Sequence, residues 1–496
     1  MLRELIQNAT DAIHARRLLE KNNALGTIGI SVQKNNDKTI LSVTDNGVGM
    51  SIDTISNSLL NFGTSFWHEE SVNVEFPGLK TTGFQSVGQF GIGFFSTFMI
   101  ADSVEIETRR YTDGLNNAHL VKFPSGLSLA PIFAQCTSSS TAYSTTIRLI
   151  LSEKFNNWPV EYEAKRNKTD ESNFNVPFSA MLATLVAGLD VDVYYKEFDK
   201  EEKRIHHRID AKDLDKKEWL RALSLANYQN DKSLDAYIEE YYSRLRYLYD
   251  THHRIAGLAA VGTRFQPNDD FLGGTTVGGL LSGFHSRNSE NWIGIIDKHP
   301  NGAKRDGGEY TVSEDILKEW VLGQIVELAP VVISYVQTRF RLQLVMLFFK
   351  VDPMNIVVAA YFAHKQISIV PLNQIVSLLS QGKKLIFIDS GFSKNIENEG
   401  HGDTYIDFNK VATLLQENEI LYHPLMNSGF LTYKLTNGVP NNDFGFIDCL
   451  YRKAVDMGFK LKFSYRNGFA KNIFNVDERA LIIQIDTVDT IQTNES

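Results

Sequence analysis

The chain has 496 residues, 43% of them hydrophobic, and a formal net charge of −9. That length suits about two to four domains, each able to bury a core. The acidic balance argues against a general nucleic-acid binder, though not against a local basic groove. Cys136 and Cys449 lie far apart without metal-type spacing, which fits a reducing cytoplasm. No signal-peptide pattern opens the sequence. The most apolar stretch, residues 342–362, is broken by Lys350, Asp352, Pro353 and Asn355. A membrane span needs roughly 20 uninterrupted apolar residues, so a cytoplasmic location and no membrane partner are expected.

The first predicted element is a helix over residues 4–12, where Leu5, Ala9 and Ala12 form one stripe and Glu4, Asn8 and Asp11 another. Glu4 and Asn8 are one turn apart and point the same way. A carboxylate beside an amide oxygen suits a hard metal ion and a polarised water. The same pattern also describes a solvated polar face. A strand is predicted over 39–43, followed by Asp45-Asn46-Gly47-Val48-Gly49-Met50. An Asp at a strand end beside two glycines can accept a hydrogen bond from an exocyclic amine; a plain hairpin turn reads the same way.

Residues 64–87 are rich in Ser, Thr, Gly and aromatics, among them Phe66, Trp67, Phe76 and Phe84. Next comes Gly88-Gln89-Phe90-Gly91-Ile92-Gly93-Phe94-Phe95-Ser96. Its glycines let backbone wrap closely around a phosphate chain, and the apolar run 94–101 predicts the start of a buried helix whose N-terminal N–H groups favour an anion. No Gly-x-x-x-x-Gly-Lys-Ser/Thr loop occurs.

In this order and spacing the blocks resemble the GHKL (Bergerat-fold) ATPase superfamily, most closely its heat-shock protein 90 branch. Residues 4–12 are similar to the acidic helix, 45–50 to the adenine-binding turn, and 88–102 to the loop closing the phosphate end. Phe62-Gly63-Thr64-Ser65 resembles the element that opens the ATP lid, and Ser144-Thr145-Thr146-Ile147-Arg148-Leu149 the last nucleotide-contacting strand. The resemblance covers about the first third of the chain. It implies ATP and Mg2+ as cofactors. Glu4 would orient or deprotonate the attacking water and Asn8 would hold magnesium. Asp45, helped by Thr145, would bind the adenine amino group. Gly47, Gly49 and Met50 would close the turn under the base. Gly88, Gln89, Phe90, Gly91, Ile92, Gly93 and Phe94 would cradle the phosphates. The segment 64–87 would be the lid.

In that family a strand or helix usually precedes the acidic helix, which here starts at the first residue. Two expectations follow: a chain whose start is misplaced, or a pocket completed in another way. The second domain of the superfamily usually brings a basic residue to the ATP. Within Pro300-Asn301-Gly302-Ala303-Lys304-Arg305-Asp306-Gly307-Gly308, Arg305 is the first choice and Arg287 the second. A solvated basic loop is the alternative. No middle domain of a housekeeping heat-shock 90 chaperone and no charged linker is recognisable after residue 150.

Farther on, 185–195 predicts a strand, 211–249 one or two helices, and 255–261 and 292–296 buried strands. Residues 273–279 and 286–289 read as loops. Thr311 and Glu314 form a capping-box pattern for a helix reaching about residue 348. Strands over 356–362, 384–389 and 420–422 alternate with helices over 372–381 and 408–417, which predicts a parallel-sheet domain. His206-His207 and His252-His253 are adjacent pairs whose side chains point apart, so neither makes a metal clamp. His401-Gly402-Asp403 reads as loop.

The expected fold is multidomain α+β and α/β. It comprises a Bergerat α/β sandwich with a mixed, mainly antiparallel sheet (1–153), a transducer-like α/β middle domain (154–348), an α/β C-terminal domain (349–486) and a tail (487–496). The expected function is an ATP-binding and ATP-hydrolysing, chaperone-like machine, with a client or effector protein and a homodimer as implied partners. A nucleotide-sensing regulatory or defence module with little hydrolysis is the alternative.

Overall fold

The computed structural model describes residues 1–59, 66–68, 71–88, 93–155, 161–167, 170–224, 233–263, 273–284, 291–300, 308–332, 336–353, 358–363, 366–388, 414–423, 435–436, 439–440, 446–471 and 477–486. The chain divides into two compact units, Met1–Ala260 with Gln266–Ser313, and Val261–Phe265 with Glu314–Ser496. Mixed sheets under helices recur in both, as expected for a multidomain α+β chain with a Bergerat-type N-terminal domain.

In the first unit, helix α1 (Leu2–Glu20) carries apolar residues at helical spacing. Leu5, Ile6, Ala9 and Ile13 are each at most 4% exposed, so this face drives the helix onto the sheet. Burial of such side chains is worth about 1.5–3 kcal/mol each. Beneath it lie β1 (Thr27–Asn35) and β2 (Lys38–Asp45), paired antiparallel. Next come β3 (Ala101–Thr108), β4 (Ala118–Leu127), β5 (Ile132–Cys136) and β6 (Thr145–Leu151). Ile28, Ile30, Leu41, Val43, Val104, Ile106 and Leu149 join α1 in one core.

The eight-stranded sheet runs, edge to edge, Lys203–His206, Asp192–Glu197, β1, β2, β6, β3, β4, β5. The strand Asp192–Glu197 lies parallel to β1; the other pairings are antiparallel. Register places Asp45, the last residue of β2, opposite Thr145, the first of β6, and Thr145 opposite Thr108, the last of β3. Three strand ends therefore meet at one end of the sheet. The helix Phe178–Leu185 adds Phe178 and Leu182 to the same core.

A second, five-stranded sheet in this unit has the order Arg246–Tyr249, Ile255–Val261, Trp292–Asp297, Gly273–Val277, Leu280–Phe284. Its core takes in Leu258, Ile293 and Ile295 together with Trp219 and Leu220 from the helix Lys216–Leu223 and Ile238 and Tyr241 from the helix Ser233–Tyr241.

Several local expectations are corrected. Residues 94–101 do not start a long helix: they form a 3-10 turn, Phe94–Met99, and pass directly into β3. The Ser96 and Thr97 hydroxyls donate three residues back, to the Gly93 and Phe94 carbonyls, a bonding pattern that competes with α-helix. Residues 273–277 are a strand rather than a loop, paired on both sides. A side chain on Gly274 would come within 2.7 Å of the Gly283 carbonyl, so the glycine there serves close strand approach. Leu245 and Leu248 belong to a strand and its approach rather than to a helix. The helix read to about residue 348 appears as Glu314–Val332 and Val336–Phe348, and the Thr311 hydroxyl donates to the Asp297 carbonyl at 3.1 Å.

The second unit is built on a six-stranded sheet ordered Gln366–Pro371, Val358–Ala363, Glu419–His423, Lys384–Ile388, Asp477–Ile485, Leu461–Lys471. Only Lys384–Ile388 and Glu419–His423 run parallel among its pairs, so the expected parallel sheet is mixed and mainly antiparallel. The hairpin Val358–Ala363/Gln366–Pro371 at one edge and the hairpin of the last two strands at the other both bring antiparallel pairing. Helices Leu372–Ser380 and Phe446–Asp456 bury Ile375, Leu379, Phe446 and Leu450 against it. The helix expected over 408–417, the His401-Gly402-Asp403 stretch and the tail lie largely or wholly outside the described residues. Among the described residues no helix is long and apolar enough to cross a membrane.

The α1 core sets the unit's stability. Ile13→Ala, at a fully buried site, should lower unfolding free energy by about 2–5 kcal/mol, read from chemical denaturation followed by circular dichroism.

Candidate functional site

Where the three strand ends meet under the first turns of α1, the sheet and helix part to form a cleft. It is lined by Glu4, Asn8, Asp45, Gly49, Met50, Thr54, Phe66, Trp67, Gly88, Gly93, Phe94 and Thr145, with Val43, Val48 and Ile147 among its apolar walls. Counted with its open mouth, it has a volume of about 1160 Å³, on the scale of small-molecule and cofactor sites.

Glu4 and Asn8 stand one turn apart on α1. Asn8 is exposed to the cleft between the buried Leu5 and Ala9. Opposite them, Asp45 ends β2 and is only 7% exposed. Its Oδ1 accepts the Gly47 N–H at 2.8 Å. Burial pushes the Asp45 carboxyl up to about 7, against the opposing pull of the Gly47 N–H, the Arg16 guanidinium and Ser144. Behind the cleft wall, Met50 N–H donates to the buried Thr108 Oγ1 at 3.1 Å, and Thr108 and Thr145 Oγ1 atoms are 3.0 Å apart.

Gly47 does not line the cleft; it holds the turn against α1. A side chain there would lie 2.6 Å from both the carbonyl carbon and Cβ of Ala12, and the next residue, Val48, donates its N–H to the Ala12 carbonyl at 3.1 Å. Gly49 takes φ 68°, and a Cβ on it would collide with the Arg109 carbonyl. Both positions therefore require glycine.

The glycine-rich stretch 88–94 is only partly described. Gly88 and Gly93 face the cleft, and a side chain on Gly93 would strike the Glu4 carboxylate. Gln89, Phe90, Gly91 and Ile92 lie outside the described residues, as do Phe62 to Ser65, Arg287 and Arg305. The described part of residues 64–87 has a small core of its own. Phe66, Trp67, Phe76 and Phe84 contact one another edge-on or tilted, with centroids 4.9–6.1 Å apart, and pack with Val72 and Leu79 onto Ala15, Leu18 and Leu19 of α1.

Asp11 had no role assigned from sequence beyond its place on the polar stripe. It is fully buried and accepts N–H groups from Val87 at 3.1 Å and Gly88 at 2.8 Å. Burial raises its pKa despite those bonds. Its position one turn beyond Asn8 was the available signal. Thr54 carried none. The first histidine pair has structural partners: His206 Nε2 meets the Leu189 carbonyl at 2.8 Å, and His207 bridges Asp192 and Asp213.

Residues 1–122 match the family described as histidine kinase-, DNA gyrase B- and HSP90-like ATPase. The N-terminal region is a GHKL ATPase domain. Within that superfamily it is heat-shock-90-like. The chain is 34% identical over 121 residues to the chaperone protein HtpG of Alcanivorax borkumensis, covering 23% of this chain and 19% of that protein. It is 30% identical over 182 residues to HtpG of Chlorobaculum tepidum (35% and 28% covered). To the bovine mitochondrial heat shock protein 75 kDa it is 29% identical over 175 residues (35% and 24% covered). The matches thus span under a third of the length of these relatives. The GHKL domain accounts for the first part of the chain, and the remainder lies beyond the matched stretches.

Two outcomes are expected of this geometry. Gly47→Ala should destabilise the unit by about 1–3 kcal/mol through overpacking against Ala12 backbone, measured by denaturant titration. The Asp45 carboxyl has a folded pKa of about 7 against 3.8 for the free group, so the folded state binds its proton more tightly. Its stabilising contribution is full below the free value and is lost as pH rises to 7. The stability of the wild type relative to Asp45→Asn should therefore fall between pH 4 and 7 and level off above, as read from paired melts.

Proposed function

We propose that the cleft binds an adenine nucleotide as its magnesium complex, hydrolyses the terminal phosphate, and uses the cycle to drive a chaperone-like conformational machine. The observation that carries this reading is the convergence of Glu4, Asn8, Asp45, Gly88, Gly93 and Thr145, drawn from four separate stretches of sequence, on one cleft. The match of residues 1–122 to an ATPase family supports it, as does the likeness to HtpG chaperones.

In this reading the Asp45 carboxylate and the Thr145 hydroxyl take the adenine edge. The buried acceptor discriminates because a base lacking an amine there would leave it unpaired. Gly47, Gly49 and Met50 shape the turn beneath the base. The phosphates lie toward Gly88 and Gly93, with Gln89, Phe90, Gly91, Ile92 and Phe94 completing the cradle. Asn8 offers one neutral oxygen, and among the described residues no group of three or more His, Cys, Asp or Glu could hold a metal. A magnesium ion that arrives on the phosphates and keeps most of its waters fits that donor set; when bound it would neutralise phosphate charge. Glu4, across from Gly93, is placed to accept a proton from an attacking water. The segment 64–87 acts as the lid, Arg305 supplies positive charge to the γ-phosphate, and the domains after residue 153 receive the motion. A client or effector protein and a second copy of the chain are the partners this reading implies.

The experiment pairs two variants. Glu4→Ala should bind Mg-ATP with unchanged affinity while phosphate release falls to background. Asp45→Asn should weaken adenosine binding at least tenfold in calorimetry. Because an ionised Asp45 is the better acceptor, wild-type affinity for adenosine should rise about tenfold from pH 6 to pH 8, and this dependence should vanish in Asp45→Asn. Adenosine affinity indifferent to Asp45→Asn would refute the assignment. Turnover equal in wild type and Glu4→Ala would leave nucleotide sensing without hydrolysis.

A further inference from the structure

Beside the Glu4–Asn8 stripe, α1 presents a second one, Arg3, Gln7 and Asp11, that faces away from the cleft. Gln7 is fully buried. Its Nε2 lies 3.4 Å from Asp11 Oδ1, and its Oε1 has no hydrogen-bond partner among the described residues. A buried amide with an idle acceptor is a cost that a leucine or methionine would avoid, and it calls for a reason beyond packing.

The surroundings of that oxygen supply one. A Cβ built on Gly278 would sit 2.8 Å from Gln7 Oε1 and equally 2.8 Å from both methyls of Val87. Gly278 and Gly279, with φ 60° and 80°, form the two-residue turn between the strands Gly273–Val277 and Leu280–Phe284 of the second sheet, a tight connection that requires positive φ at both residues. This turn is pinned from several directions. The Gly279 N–H donates to Asp297 Oδ1 at 3.2 Å, the Gly279 carbonyl accepts the Gly188 N–H at 3.0 Å, and the Arg3 guanidinium reaches the Leu280 and Leu281 carbonyls. On the other side of Gln7, Asp11 holds the Val87 and Gly88 N–H groups at the start of the phosphate loop.

We propose that Gln7 is a positioning residue that links the phosphate end of the cleft to the Gly278–Gly279 turn, so that the placement of Val87 and Gly88 over the cleft and the seating of the second sheet's hairpin are set together. The chain of contact is short: turn to Gln7 and Val87, Gln7 to Asp11, Asp11 to Gly88. Any movement of Gly88 toward a phosphate must draw on the Asp11 bond and on Val87, both of which bear on the turn. The inference rests on the nucleotide reading of the cleft and deepens it by naming how phosphate contact reaches the second sheet.

Gln7→Met tests it, because methionine keeps the length and volume but neither polar atom. Affinities for Mg-ATP and for adenosine are measured by calorimetry, with thermal midpoints as a folding control and amide hydrogen exchange over residues 277–281 with and without Mg-ATP. The expected result is adenosine affinity within twofold of wild type, Mg-ATP affinity lowered about tenfold, and exchange at the turn that no longer responds to Mg-ATP. Gly278→Ala approaches the contact from the other side and should give the same selective loss, with the double variant no worse than either single one. Equal losses for adenosine and Mg-ATP, or none for either, would overturn the positioning role, as would losses that simply add in the double variant. Failure of wild type to bind Mg-ATP or adenosine at all would instead refute the nucleotide reading itself.

Discussion

The site depends on one close contact: the turn after β2 can lie against α1 only because Gly47 has no side chain. With Ala12 backbone and Cβ both within 2.6 Å of where a methyl would stand, any larger residue would lift the turn off the helix. That contact, reinforced by the Val48 N–H to the Ala12 carbonyl, draws Asp45 to within reach of the same space that Glu4 and Asn8 face. The cleft is thus the gap left when a helix is held to a sheet by backbone contact at one point and by apolar side chains at the other.

The cleft's chemistry follows from uneven burial. Asp45 is sunk among strand ends, where the charge of Arg16 only partly opposes the loss of water, and its carboxyl is accordingly reluctant to ionise. Asn8, on the opposite wall, is open to solvent. One wall is suited to a neutral, flat, hydrogen-bonding group and the other to a hydrated ionic one. A purine at one end and phosphates with their cation at the other match that gradient.

Successive polar stripes of α1 do different jobs. Glu4 and Asn8 belong to the cleft. Arg3, Gln7 and Asp11 belong to the contact with the second sheet and the start of the glycine loop. A helix rotated by about 100°, the angle between neighbouring positions, would exchange them. What prevents this is the buried face of Leu5, Ile6, Ala9 and Ile13, together with Arg17, whose guanidinium bonds both the side chain and the carbonyl of Asp190. Burial works against charge on Asp190, yet His14 and Arg17 hold its carboxyl below the usual range.

Much of the first sheet could be read directly. The i, i+4 pairing of Glu4 with Asn8, the alternating β2 ending in Asp45, and the run that became β6 are local patterns, and helix or strand periodicity decides them without help from the rest of the chain. Asp11 was legible as a polar helical residue but not as the anchor of Val87 and Gly88, since its partners lie 76 and 77 residues away. The strand Gly273–Val277 was hidden by its glycines, which signal loops in isolation and close strand packing only when neighbours on both sides are in place. The antiparallel C-terminal hairpin was hidden likewise, because its form is chosen by what it meets.

The sequence by itself determined which residue types could serve a nucleotide and the order in which they come, because helix phase, strand alternation and glycine's freedom are properties of a few adjacent residues. Only the tertiary structure decided that these stretches share one cleft, that Asp45 is buried and Asn8 is not, and that Gln7 meets a turn from the second sheet 271 residues farther along the chain. Those outcomes depend on desolvation and steric exclusion between distant segments, which exist only once the chain has packed.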